Sequence, residues 1–148
     1  MKRLNRGQLE NRVQLVSKHM EQEHSYFNLE TGEIRIQSQL DNSIRKVSYS
    51  KDGYAYFSLR DKVNKRYRSV FIHHIVMILA DAEKYVEQMA KGMTINHISG
   101  DKTDNSLSNL EYLSQSDNSI HAYAIGLIPE QVLEIGRASC RERVSTSV

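Results

Sequence analysis

A chain of 148 residues with 39% hydrophobic and 26% charged side chains has the composition of an ordinary globular protein, long enough for one core. It contains no apolar run of about eighteen residues, so no stretch reads as a transmembrane helix. The basic start Met1-Lys2-Arg3-Leu4-Asn5-Arg6 lacks the apolar segment of a signal peptide, and the single Cys140 excludes an intramolecular disulfide or a Cys-based zinc site. These features lead us to expect a cytoplasmic protein with no membrane association. The net charge of +2 hides an asymmetry: residues 1–68 carry 14 Lys/Arg against 8 Asp/Glu, whereas residues 69–128 carry 3 against 7. Attraction to a phosphate backbone would therefore come from the N-terminal half. The plainer reading is that these cations are simply solvated.

Taken in order, Leu9, Val13, Val16 and Met20 recur at helical spacing and predict an amphipathic helix over 8–23. His19 and His24 carry no signal. From Tyr26 the period shortens. Tyr26 to Leu29, a turn at 30–33, and Ile34 and Ile36 alternating with Arg35 and Gln37 read as a hairpin. Ile44 to Tyr49, a turn at Lys51-Asp52-Gly53, Tyr54 to Leu59, a basic turn over 60–66 and Tyr67 to Ile72 read as a small antiparallel sheet. Its Tyr/Arg alternation suits a surface facing nucleic acid, with Lys62, Lys65, Arg66 and Arg68 as phosphate partners, although Tyr is also a common strand filler. His73 to Lys91 reads as one long helix buried through Ile75, Leu79, Ala82, Val86 and Met89 and stopped by Gly92.

The stretch from Thr94 to Gly126 is unlike the rest, because nowhere else do Asn, His and Asp crowd so closely. Thr94 to Ile98 reads as a strand and 99–106 as a polar loop turned by Gly100 and its Asp and Asn residues. Leu110 to Leu113 reads as a return strand. Ser114 or Ser116 can cap the helix that follows, with Asp117 in its first turn. Asn96 and His97 point to opposite faces of a strand, whereas Asn118 and His121 share a helix face. Such a group offers an imidazole that could act as a base and donors that could hold a cation. Oxygen donors suit magnesium, and imidazole also admits manganese, nickel or zinc. The bland alternative is a polar loop beside a structural histidine.

The run N-H-I-S-G-D-K-T-D-N-S-L-S-N-L-E-Y-L-S-Q-S-D-N-S-I-H-A-Y resembles the core of HNH endonucleases, in particular the phage and intron-encoded homing type, over about Phe71 to Leu127. That resemblance implies a ββα-metal (His-Me finger) fold and cleavage of double-stranded DNA with one divalent cation, magnesium or alternatively manganese. It also implies a host in bacterial or phage-infected cells. It places His97 on the general base, Asn96 and Asn118 on the two metal ligands, and Asn109 on the loop-tying residue that helps orient the base. Asn105, His73 and His121 fall on supporting positions. The G-Y-x-Y-F-S-L strand and its basic turn look like the region that precedes the nuclease core in homing-type relatives, where it is thought to help hold DNA. The departures are Ser99 for the usual Asp, Asp104 for an Asn, Tyr112 for Trp, Ser114 for Thr and His74 for Arg. Asn96 and Asn118 supply no carboxylate, so the expectation is weak metal binding by the free protein and tighter binding with DNA.

The sequence thus predicts an α+β protein. Residues 1–68 form a helix and a basic antiparallel region contacting DNA, 69–128 an HNH nuclease domain, and 129–148 a tail. In that tail Pro129 to Ile135 looks like the start of a further helix, and the segment from about 136 resembles a translated sequencing-adaptor sequence. The alternative function is a DNA-binding protein that keeps the fold with a weak or inactive centre. No protein partner is inferred.

Overall fold

The computed structural model describes residues 3–38, 41–117 and 120. Its first helix, α1 (Arg6–Met20), starts at a reciprocal cap. Asn5 Oδ1 accepts from the Gln8 amide at 2.8 Å, and Gln8 Oε1 accepts from the Asn5 amide at 3.0 Å. Leu9 and Val16 bury the expected stripe, and His19 joins them with its Nε2 3.1 Å from the Arg60 carbonyl oxygen. Burial lowers the pKa of His19 and so favours its neutral form. His19 had no sequence signal because a helical stripe is read from apolar residues.

The hairpin β1 (Tyr26–Asn28) and β2 (Glu33–Arg35) closes through Gly32, whose φ of +76° is the left-handed conformation glycine adopts without cost. Ile34 and Ile36 turn inward from it. A three-stranded antiparallel sheet follows in the order β3 (Ser48–Tyr49), β4 (Ala55–Asp61), β5 (Arg66–Phe71). Along β4, Ala55, Phe57, Leu59 and Asp61 face inward and Tyr56, Ser58 and Arg60 outward, the strict period of two expected of a half-buried strand. The β4–β5 turn is built on Asp61, which accepts from the amides of Val63 and Asn64 and from the Asn64 side chain. The Asn64 side chain leads the interactions that hold this carboxyl below the usual carboxylate range.

The long helix expected over 73–91 is two helices, α2 (Ile72–Ala80) and α3 (Ala82–Ala90). Asp81 breaks it. Its backbone is extended, and its Oδ1 accepts from the Lys84 amide at 3.1 Å, capping the second helix instead of continuing the first. The break turns the buried face. Ile75 and Val86 are buried as expected, and Leu79 and Met89 pack partly against the core. Ile72, Val76, Met77, Ile78 and Tyr85 complete the apolar wall. The last unit is the hairpin β6 (Thr94–His97) and β7 (Leu110–Leu113), joined by the polar loop and a single 3-10 turn at Leu107–Asn109. Residues 115–117 are helical, and Ser114 Oγ accepts from the Asp117 amide at 3.1 Å, so Ser114 is the cap.

One hydrophobic cluster draws on both hairpins, the three-stranded sheet and the three helices, from Leu9 and Val16 through Ile36, Phe57, Val70 and Ile75 to Ile95 and Leu110, although β1 and β3 add no side chain to it. The boundary expected at 68/69 falls inside β5, and residues on both sides of it share this core. Among the described residues no helix is long and apolar enough to cross a membrane. The tail 129–148 lies outside the described residues.

Candidate active site at the β6–β7 hairpin

His97 ends β6, directly across from Leu110, and is buried. Its Nε2 lies 2.9 Å from Asn105 Oδ1. An amide oxygen can only accept, so Nε2 carries the proton and Nδ1 keeps its lone pair. Nδ1 has no hydrogen-bond partner among the described residues. An imidazole held in that way is oriented and has one nitrogen able to take a proton. Its ring lies within a group of aromatic neighbours: Tyr54 with centroids 5.8 Å away and His73 at 4.9 Å, edge-to-face. His73 in turn stacks on Phe71 at 5.4 Å. Burial above all, and then the neighbouring His97, push the pKa of His73 down to about 3, so His73 is a neutral wall of the site.

The loop behind His97 is locked by its own polar side chains. Asn109 Oδ1 accepts from the Ser99 amide at 3.0 Å, and its Nδ2 donates to the Asp104 carbonyl oxygen at 2.9 Å. Asp101 Oδ1 accepts from the Thr103 amide and hydroxyl, and Asp104 Oδ1 from those of Ser106. Asp101 and Asp104 therefore act as turn-makers. Asn109 holds the loop through these two bonds, and neither of them reaches the His97 ring. Asn105, expected only in a supporting place, is the residue that orients the imidazole. Ser99, at a position where an Asp was the expected type, donates its amide to Asn109 and accepts the Asp101 amide on its hydroxyl at 3.1 Å.

Asn96 lies on the other face of β6, opposite Glu111 in the hairpin register, and its Nδ2 donates to Glu111 Oε1 at 3.1 Å. The bond leaves the Asn96 carbonyl oxygen as a possible ligating atom and sets a carboxylate beside it. Asn96 itself supplies no carboxylate, as read from the sequence, but Glu111 lies across from it in the hairpin. Counting the two strands against each other would have found it, since cross-strand partners share a face. These donors are oxygens, which fit a hard cation. Among the described residues no three His, Cys, Asp or Glu side chains converge as a metal cluster. Asn118 and His121 lie outside the described residues.

The outward face of the three-stranded sheet leads away from this site. Tyr56 pairs with Phe71, Ser58 with Ser69, and Arg60 with Tyr67. The guanidinium groups of Arg60 and Arg45 lie 5.3 and 5.6 Å from the Tyr67 ring centroid, and Arg45 also donates to the Ser58 carbonyl oxygen. The four cations expected to meet phosphate are placed differently. Lys62 and Lys65 occupy the exposed turn, and Arg66 and Arg68 belong to the opposite parity of β5 from Tyr67. Arg68 is paired with Asp61 at 3.2 Å. Arg45 and Arg60 were not among the expected cations, although Arg60 shares strand parity with Tyr56 and Ser58. At the mouth of the site Lys102 lies over the Tyr54 ring at 4.8 Å and donates to the Asp52 carbonyl oxygen.

With this geometry in view, residues 88–120 match the family model described as HNH endonuclease. The YosQ protein of the SPbeta prophage of Bacillus subtilis (strain 168), named as an HNH homing endonuclease, is 31% identical over 87 residues. That alignment covers 59% of this chain and 47% of YosQ, so the chain spans about half the length of this curated relative. A solved structure concerned with DNA binding and cleavage by the HNH homing endonuclease I-HmuI superposes with a TM-score of 0.56 at 20% identity. It covers 82% of this chain and 66% of that one, a likeness that shows the fold.

Proposed function

We propose that the chain, whose residues 88–120 match the HNH endonuclease model, hydrolyses phosphodiester bonds in double-stranded DNA, with His97 as general base. The observation that carries this reading is the Asn105–His97 bond, which fixes the ring and leaves Nδ1 to take a proton from the attacking water. Asn96 would hold a divalent cation through its carbonyl oxygen, with Glu111 orienting the amide and adding negative charge nearby. Magnesium fits these oxygen donors, and manganese is the substitute to try. Asn118 and the scissile phosphate would complete the set. When bound, such a cation stabilises charge on the phosphoryl oxygens and on the departing 3′ oxygen.

The protein's own groups would do the rest. The neutral His73 and the Tyr54 ring would wall the base and limit its movement, with Phe71 stacked behind His73. Lys102 brings a positive charge to the mouth of the site. The outer sheet face, with Arg45, Arg60 and Tyr67, would track the phosphate backbone, and Lys62, Lys65 and Arg66 would meet phosphates from the turn. The test is nicking of supercoiled plasmid by the wild-type chain with magnesium, with manganese and with EDTA. Cation-dependent nicking supports the reading. Salt-sensitive DNA binding without cutting under either cation would replace it with that of a DNA-binding protein that retains the fold.

A further inference from the structure

Asn105 orients the base, so what holds Asn105 matters to the site. Its own peptide is pressed against a segment more than seventy residues earlier in the chain. A Cβ placed on Gly32 would sit 2.3 Å from the Asn105 carbonyl carbon, 2.5 Å from its oxygen and 2.6 Å from the Ser106 nitrogen. These are backbone atoms and cannot swing aside as a side-chain end could. The junction is fastened on both sides. Next to it the Leu107 amide donates to the Leu29 carbonyl oxygen at 2.8 Å. The β1–β2 turn is itself held by the Gly32 amide donating to the Asn28 carbonyl oxygen at 2.8 Å and by the Glu30 amide donating to Asn28 Oδ1 at 3.0 Å. Ile34 and Ile36 then anchor the hairpin in the core.

We propose that Gly32 is a positioning residue of the active site: its bare backbone seats the Asn105–Ser106 peptide, which aims Asn105 Oδ1 at His97 Nε2. The hairpin lies outside the matched segment 88–120, so the base is completed by a part of the chain that precedes the HNH core. The cause is steric. A methyl group at Gly32 must displace the loop backbone, and shifts of about 1 Å in a positioned catalytic group can cost on the order of 10²-fold in rate. The proposal rests on the nuclease reading for its consequence in rate, though its structural part stands apart from it.

The experiment is a cycle of Gly32→Ala, Asn105→Ala and the double variant, followed by three readouts. These are single-turnover cleavage with magnesium, DNA affinity, and the His97 ring Nε2–H proton by NMR. We expect Gly32→Ala to slow cleavage about 10- to 100-fold with DNA affinity kept, and to add little once Asn105 is already Ala, because residues acting through one interaction are not additive. The ring proton, slowed in exchange by its bond to Asn105, should lose that protection in either single variant. Asp81→Ala, which removes the α3 cap and none of the bonds at this junction, serves as the control for plain destabilisation and should leave the ring proton protected. If Gly32→Ala does not fold, Gly32→Asn keeps the intruding Cβ on a residue that accepts positive φ. Multiplying rate losses in the double variant, or an unchanged ring proton in a folded Gly32 variant, would overturn the proposal. If the wild type cuts no DNA, the nuclease reading fails, and the ring proton still decides whether Gly32 seats Asn105.

Discussion

Two histidines, His97 on the β6–β7 hairpin and His74 on α2, are both enclosed, yet their surroundings prepare them for different work. His97 donates through Nε2 to Asn105 and keeps Nδ1 as an acceptor. His74 has the reverse arrangement: its Nδ1 lies 2.7 Å from the Tyr85 hydroxyl, which also receives a bond from Arg12 at 3.1 Å. The Tyr85 hydroxyl can accept from the guanidinium and donate to His74, so the nitrogen that might have taken a proton is already occupied. Although His74 is only half-buried as a residue, its ring is desolvated. That desolvation, followed by His73 and Arg12, holds its pKa well below the ordinary value. The lesson is that an imidazole's chemistry follows from which nitrogen is committed. The Arg12–Tyr85–His74 chain ties α1 to the two helices, whereas the Asn105–His97 pair leaves Nδ1 uncommitted among the described residues.

The comparison is broken most severely by removing the proposed base. His97→Ala should lower cleavage by about 10²–10⁴-fold while leaving DNA affinity intact, as measured by single-turnover kinetics beside a binding titration. Joint loss of cleavage and binding would make His97 structural. Next in size is the separation of the two loop asparagines. Asn105→Ala should reduce the rate and, because it leaves the buried His97 Nε2–H without its acceptor, should also cost about 1–3 kcal/mol of stability. Asn109→Ala removes the bonds to the Ser99 amide and the Asp104 carbonyl oxygen, both open to solvent, and should cost about 0.5–1.5 kcal/mol of stability for each, read from denaturant unfolding, with a smaller loss of rate than Asn105→Ala.

The neutral histidines give a pH signature. In the unfolded chain a histidine titrates near 6.5. In the fold His73 titrates at about 3, and His19 and His74 are also lowered. Between those values the unfolded state binds more protons, so stability is complete above about pH 6.5 and is lost as pH falls toward 3. For His73 the slope should approach about 1.4 kcal/mol per pH unit, and His73→Gln should flatten it in unfolding titrations from pH 7 to 4. The smallest effects lie on the sheet. Arg60→Ala and Arg45→Ala should each reduce the slope of log affinity against log salt by about 0.9 for every phosphate the arginine neutralises. Arg68→Ala, already paired with Asp61, should leave the slope nearly unchanged.

Much of this architecture was legible because it follows a period. The alternation along β4, the stripe of α1 and the turn residues around Gly32, Gly53 and Gly100 all lie in the local sequence. The loop of the candidate site was legible for the same reason, since its Asp, Ser and Thr residues bond to neighbours two positions away. What escaped was decided by contacts between distant residues. On a helical wheel Asp81 looks like any exposed residue, and only its extended backbone reveals it as a cap. Asn105 and Asn109 are the same residue type in the same loop, so spacing could not say which amide would reach His97. Glu111 became part of the site through strand register, and Gly32 through packing against a peptide remote in sequence.

The most direct test of the distinction between the two histidines is to replace each in turn and measure single-turnover DNA cleavage with magnesium at neutral pH, normalised to folded protein. His97→Ala should be nearly inactive, whereas His74→Ala should cut at close to the wild-type rate while unfolding more readily. Equal losses in the two variants, or a cleaving His97→Ala protein, would contradict the assignment of the base to the β6–β7 hairpin.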